Sequence, residues 1–175
     1  MRQLFVPLLA ISIISGCKGK PSDIGTVSAY VPVYLSKIDA EKITQMPPQP
    51  IVNGGKIATL GNYVFQVEED KGIHIINYTN PASPVKTAFI NVPLCRELTL
   101  KGNYIYTNNM ADLVVIDLSN PANINVSARI VNAFPDLSIQ YPTANGAYFE
   151  CPDASKGLVI AWELKQVNNP KCKKP

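Results

Sequence analysis

The sequence has a single histidine, His74, and no two of its four cysteines stand close enough to form a Cys-x-x-Cys pair. The ligand spacing of a zinc centre is therefore missing, and no metal site of that kind is expected. There is no Gly-x-Ser-x-Gly elbow, no phosphate-binding glycine loop and no dinucleotide fingerprint, which removes the common hydrolase and nucleotide-dependent classes. No pair of carboxylates identifies itself as flanking one cleft, as a glycosidase needs. Charge is also scarce: Asp, Glu, Lys and Arg make up 17% of the chain and the net charge is +3. The basic residues are scattered except for Lys171 to Lys174 at the C-terminus, so nucleic acid is not an expected partner. The apolar run from Leu4 to Ile14 is too short to cross a bilayer as a helix.

What the chain does have is a repeat. Gly61-Asn62-Tyr63-Val64-Phe65 returns as Gly102-Asn103-Tyr104-Ile105-Tyr106, and Asn80-Pro81-Ala82 returns as Asn120-Pro121-Ala122. Gly146-Ala147-Tyr148-Phe149 and Gly157-Leu158-Val159-Ile160 echo the strand-like pieces again with wider spacing. A period of roughly 40 residues points to stacked or radial units. The chain has 175 residues, 46% of them hydrophobic, with 15 prolines and 10 glycines set between short β-branched and aromatic runs. That composition predicts one all-β globular unit with many turns.

The first sixteen residues read as a secretory signal, with Arg2 as a minimal positive region and Leu4 to Ile14 as the apolar core. Ile14-Ser15-Gly16-Cys17 resembles a bacterial lipobox, which implies a diacylglyceryl group on the Cys17 thiol and attachment to a membrane without crossing it. Residues 17–29 are small and polar and read as a lipidated flexible tether. Within residues 30–50, Tyr30 to Leu35 contains Pro32 and predicts at best an edge strand. Ser36 offers an N-cap for a helix from about Lys37 to Gln45, and the prolines at 47, 48 and 50 end it.

Residues 51–175 hold the repeats, at about 51–91, 92–134 and 135–165, followed by a tail. The first copy predicts strands Ile57 to Leu60, Tyr63 to Val67, Ile73 to Tyr78 and Val85 to Ile90. The second predicts Glu97 to Leu100, Tyr104 to Thr107, Leu113 to Leu118 and Val126 to Val131. The third offers Ile139 to Tyr141, Ala147 to Glu150 and Leu158 to Leu164, with no fourth strand. Four strands per period is the pattern of a propeller blade. The run Leu113-Val114-Val115-Ile116 is apolar on both faces, as a strand between neighbouring blades requires. The expected fold is an all-β, propeller-like stack of about two and a half four-stranded blades, an incomplete propeller, with a short N-terminal helix.

Leu113-Val114-Val115-Ile116-Asp117 followed by Ser119-Asn120-Pro121 resembles the signature of the LVIVD-repeat family, and Pro32 to Cys172 is similar to uncharacterised lipoproteins of Bacteroidota-type bacteria. The first copy departs from the signature with Gly72-Ile73-His74-Ile75-Ile76-Asn77, and the third ends in Ile160-Ala161-Trp162-Glu163. The resemblance implies a β-propeller-like fold at a bacterial surface or outer membrane, and it implies no activity.

Of the cysteines beyond Cys17, an exported compartment favours a disulfide between Cys151 and Cys172, leaving Cys95 as a free thiol. His74, between Ile73 and Ile75, reads as a structural or surface residue. Glu68, Glu69 and Asp70 in the first hairpin, Asp112 in the second and Asp153 in the third offer hard oxygen ligands for a loop calcium at Asp70, Asp112 and Asp153; the competing reading is that hairpin tips simply favour solvated polar residues. Asn77, Asp117 and Glu163 read as polar strand ends. The aromatics Tyr63, Phe65, Tyr104, Tyr106, Tyr141, Tyr148 and Trp162 read mainly as interblade packing, with one or two left for a protein or glycan ligand.

No cofactor is expected apart from the lipid. The expected function is that of a non-catalytic lipoprotein of the bacterial cell envelope, on the outer membrane or cell surface, acting as a binding or structural scaffold. Two alternatives stay open: a shortened copy of a longer propeller protein, and a carbohydrate-active propeller enzyme. Open blade edges also invite self-association.

Overall fold

The computed structural model describes residues 23–135 and 141–175. The expectations placed on the signal segment, on Cys17 and on Ile139 lie outside the described residues. The described residues are mostly β, arranged in three sheets.

The first blade comprises β3 (Gly54–Leu60), β4 (Tyr63–Glu68), β5 (Gly72–Asn77) and β6 (Val85–Asn91). The second comprises β7 (Leu98–Lys101), β8 (Tyr104–Asn109), β9 (Asp112–Asp117) and β10 (Asn125–Ile130). Both are antiparallel meanders, and the repeated residues make the same bonds in each. Gly61 and Gly102 open the first hairpins with φ of +55° and +56°, the conformation that a two-residue turn asks of its first central residue and that glycine adopts without strain. Asn77 and Asp117 each accept the N–H two residues on at 2.8 Å, and Asn80 and Asn120 do so at 3.2 and 3.1 Å within the Asn-Pro-Ala turns. These are Asx turns, in which a short polar side chain replaces a backbone acceptor. The alternate residues of each strand build one core shared by both blades, with Phe65, Ile73, Ile75, Ile90, Ile105, Val114 and Ile116 buried together.

Gly72 is held to glycine by space. Its φ is +152°, and a Cβ placed there would lie 2.0 Å from the carbonyl oxygen of Ile90. The second repeat has Asp112 at this place, after a hairpin one residue shorter.

The third sheet departs from expectation. Its order is β12 (Leu158–Asn168), β1 (Thr26–Leu35), β11 (Tyr148–Phe149) and β13 (Cys172–Lys173). The half-blade expected from residues 135–165 is instead a four-stranded sheet completed by residues from both ends of the described chain. The tether expected to reach residue 29 therefore ends earlier, since Thr26 to Ala29 lie in β1 and Asn169 donates its N–H to the Gly25 carbonyl. Nor is β1 an edge strand. It pairs along its length with β12, with Pro32 opposite Trp162, and in parallel with β11 at Tyr30 and Phe149. Pro32 is tolerated because of where the ladder stops. Glu150 donates to the Tyr30 carbonyl at 2.9 Å, so the next rung would need an N–H from position 32, and proline has none. Here β11 gives out. Phe149 fills the interior of this sheet, edge-on to Trp162 and Tyr141.

The helix is also shorter than expected. Ser36 caps it through its Oγ, which accepts the Asp39 N–H at 3.1 Å, but α1 spans only Lys37–Glu41. Its last carbonyls are taken by the second blade: Asn109 Nδ2 donates to Ala40 O at 2.9 Å, and Arg129 Nη2 to Glu41 O at 2.8 Å. The residues beyond then form β2 (Thr44–Met46), a fifth strand on the first blade beside β6. Gln45 reaches from β2 to the Asn-Pro-Ala turn of the second blade, donating to Pro121 O and accepting from Ile124 N, both at 3.1 Å.

Cys151 and Cys172 are joined by a disulfide that closes β13 onto the segment after β11, with a sequence separation of 21. In the chain-entropy account a loop of this size is worth roughly 3 kcal/mol. Replacing both cysteines by serine should lower the unfolding free energy by about that amount in urea titrations; an unchanged midpoint would show that the crosslink adds nothing beyond strand pairing.

Candidate functional site

The hairpin from β4 to β5 forms one wall of a cavity of about 600 Å³. Glu68, Glu69, Asp70 and Lys71 line it on this side, Met46, Val52 and Phe89 belong to the rest of the first blade and its approach, and Leu35, Ile160 and Ala161 come from the third sheet. The lining is mainly apolar. Three distant parts of the sequence therefore meet around one space.

Glu68 closes the strand that feeds this hairpin and is only 2% exposed. Its carboxylate accepts the N–H of Asn53 at 2.6 Å and that of Val52 at 3.0 Å, and its Oε2 lies 3.1 Å from His74 Nε2. His74 is fully buried, with its ring 4.9 Å from that of Phe89. The His74 Nδ1 has no hydrogen-bond partner among the described residues. Burial pushes the Glu68 carboxyl up, but the hydrogen bonds from Asn53, His74 and Val52 outweigh it and hold the group below the ordinary glutamate range.

The second repeat solves the same local problem without this pair. Asn109 stands where the first blade has Glu68, and Val114 where it has His74. There Asp112 accepts from Arg129 Nη1 at 2.7 Å and from the Asn132 N–H at 3.0 Å. Burial again raises the carboxyl, and Arg129 and Asn132 bring it below its usual value. The buried Glu68–His74 pair is thus an addition of the first blade and not a requirement of the repeat. Sequence reasoning missed it by treating Glu68 as part of a solvated tip and by leaving His74 between structural and surface roles; the signal available was the substitution of His74 for a valine at a repeat position flanked by isoleucines.

The loop carboxylates proposed for calcium are not brought together. Asp70 is bound by Arg96 Nε at 2.7 Å and Nη2 at 3.3 Å. Asp112 is engaged by Arg129. Asp153 caps a short 3-10 turn, Ala154–Lys156, accepting from Ser155. Among the described residues no group of three or more His, Cys, Asp or Glu side chains is placed to hold a metal ion. Glu163 is not a strand end like Asn77 and Asp117; it lies within β12 and pairs with Lys165 at 2.6 Å. Cys95 is free and buried, its sulfur 3.0 Å from Thr107 Oγ1, and burial pushes its thiol up to about 11. Such a thiol is a poor nucleophile at neutral pH. Among the described residues no helix is long and apolar enough to cross a membrane.

Two depressed carboxylates fix the sign of the acid response. The unfolded chain takes up these protons first, so their stabilisation is complete above the ordinary carboxylate values of 4.5 for Glu68 and 3.8 for Asp112 and is lost as pH falls through the lower folded values. Urea midpoints should be level near pH 6 and fall below about pH 4.5. Glu68→Gln should flatten part of that slope while lowering stability at pH 6 by about 1–3 kcal/mol. A slope unaltered in this variant would exclude Glu68 as a source.

Each blade of the pair coincides with a recognised sequence unit. Residues 53–89 and 95–131 match the family model of the LVIVD repeat, while the third sheet lies outside both matches. No curated protein and no solved structure matches the chain. The chain therefore carries two LVIVD repeats, one for each blade of the shared core.

Proposed function

We propose that this protein is a non-catalytic lipoprotein of the bacterial cell envelope, held at an outer membrane or cell surface by lipid on Cys17, and that its sheets form a scaffold for binding a small ligand. The observation that carries the binding role is the cavity between the first blade and the third sheet. Its volume of about 600 Å³ falls within the range of small-molecule sites, roughly 300–1,000 Å³, which are mainly apolar with a few placed polar groups. The non-catalytic part of the reading is supported by the state of Glu68 and His74. Both oxygens of Glu68 are already occupied by backbone N–H groups and His74, so the carboxylate braces the chain instead of waiting for a proton. The envelope address is supported by the signal-like segment ending in Ile14-Ser15-Gly16-Cys17.

Two experiments test the two halves. Expressed in a bacterial host with an alkyne fatty acid, the full-length protein should take up the label and sediment with membranes, and Cys17→Ala should do neither; a labelled Cys17→Ala protein would overturn the anchor. Native mass spectrometry of the protein extracted from envelopes should show a small-molecule adduct that Ala161→Trp, at an exposed position lining the cavity, removes. An adduct that persists in this variant would place binding elsewhere.

A further inference from the structure

The cavity has walls of two kinds, and their combination selects a ligand. One side is apolar, from Leu35, Val52, Phe89 and Ile160. The other is the β4–β5 hairpin, where three successive residues, Glu68, Glu69 and Asp70, carry carboxylates against the single ammonium of Lys71. Their states differ. The Asp70 carboxylate is neutralised by Arg96. Glu68 is filled by backbone N–H groups and His74 but keeps its charge beside the cavity. Glu69 is exposed and accepts the Asn53 side-chain amide at 3.0 Å; the nearby Arg96 guanidinium feels its charge but is bound to Asp70. The wall is thus negative on balance, and Glu69 is the carboxylate with capacity to spare.

Resting on the binding role proposed above, we infer that the cavity takes a small organic cation, an amine with an apolar body, with its ammonium at Glu69 and its apolar part against Phe89, Leu35 and Ile160. The apolar walls take the body of the ligand, and the exposed carboxylate of Glu69 attracts its ammonium at the solvent side of the cavity. The same field opposes an anion of similar shape, which would meet Glu68 and Glu69 with only the Lys71 ammonium to offset them. Selectivity arises from repulsion of the wrong ligand as much as from attraction of the right one.

The test uses three probes with the same two-carbon phenyl skeleton, 2-phenylethylamine, 2-phenylethanol and phenylacetate, titrated into the full-length protein in detergent micelles while the NMR amide shifts of Val52, Leu94 and Ile160 are followed. The amine should bind about two- to fivefold more tightly than the alcohol, and the acid more weakly than the alcohol. Glu69→Gln, at an exposed position, should bring the amine to the level of the alcohol and leave the alcohol unchanged, with an unaltered melting temperature. Equal binding of the three probes, or a preference for the acid, overturns the charge selection and leaves the cavity a binding site. Shifts from none of the probes overturn the binding role itself.

Discussion

The sheets of this protein are held in one arrangement by the bonds that the segment from Thr26 to Met46 makes to each of them. It enters the third sheet as β1, gives the carbonyls of Ala40 and Glu41 to Asn109 and Arg129 of the second blade, and joins the first blade as β2. Gln45 then ties β2 to the Pro121 turn of the second blade. A one-turn helix has little stability of its own. Its termination by side chains of another sheet is therefore a packing device, and the sheets depend on it for their relative placement as the helix depends on them for its shape.

Around this strap the two repeats share a core but have diverged where each chain turns into its blade. In the second blade Asn108 and Asn109 hold the preceding segment through Leu94, Arg96, Glu97 and Pro93. In the first, Glu68 holds Val52 and Asn53. The task is common to both: the backbone arriving at the first strand of a blade has polar groups that a side chain from the second strand satisfies. An amide can both donate and accept, whereas a carboxylate only accepts, so the first blade needs His74 as a further partner and places a charge beside the cavity. A structural demand and an electrostatic bias thus come from one residue.

The blades were legible in the sequence because alternation and the paired Gly-Asn-Tyr and Asn-Pro-Ala segments specify strands and turns locally. The third sheet was not. Pro32 argues against an inner strand, and only the single rung between Tyr30 and β11 explains why it is allowed there. The extra strand β2 was hidden for a similar reason: Ala40, Glu41 and Lys42 favour helix, and the bonds from Asn109 and Arg129 that stop it come from residues far along the chain. Among site residues, hydropathy alone could not show that Glu68 turns inward while its neighbour Glu69 stays in solvent, since that choice is made by the N–H groups of Val52 and Asn53.

The pairing of β1 with β12 has a bearing on the order of assembly. Thr26 meets Asn168 and Leu35 meets Leu158, so one of the earliest strands to be synthesised has its main partner near the end of the chain. Each LVIVD blade can close on neighbours a few residues away, whereas this pair must wait for nearly everything in between, and distant pairings form slowly. Until then an apolar ribbon following Gly25 has no sheet to join. On this account the blades form first and the pairing of β1 with β12 comes after them.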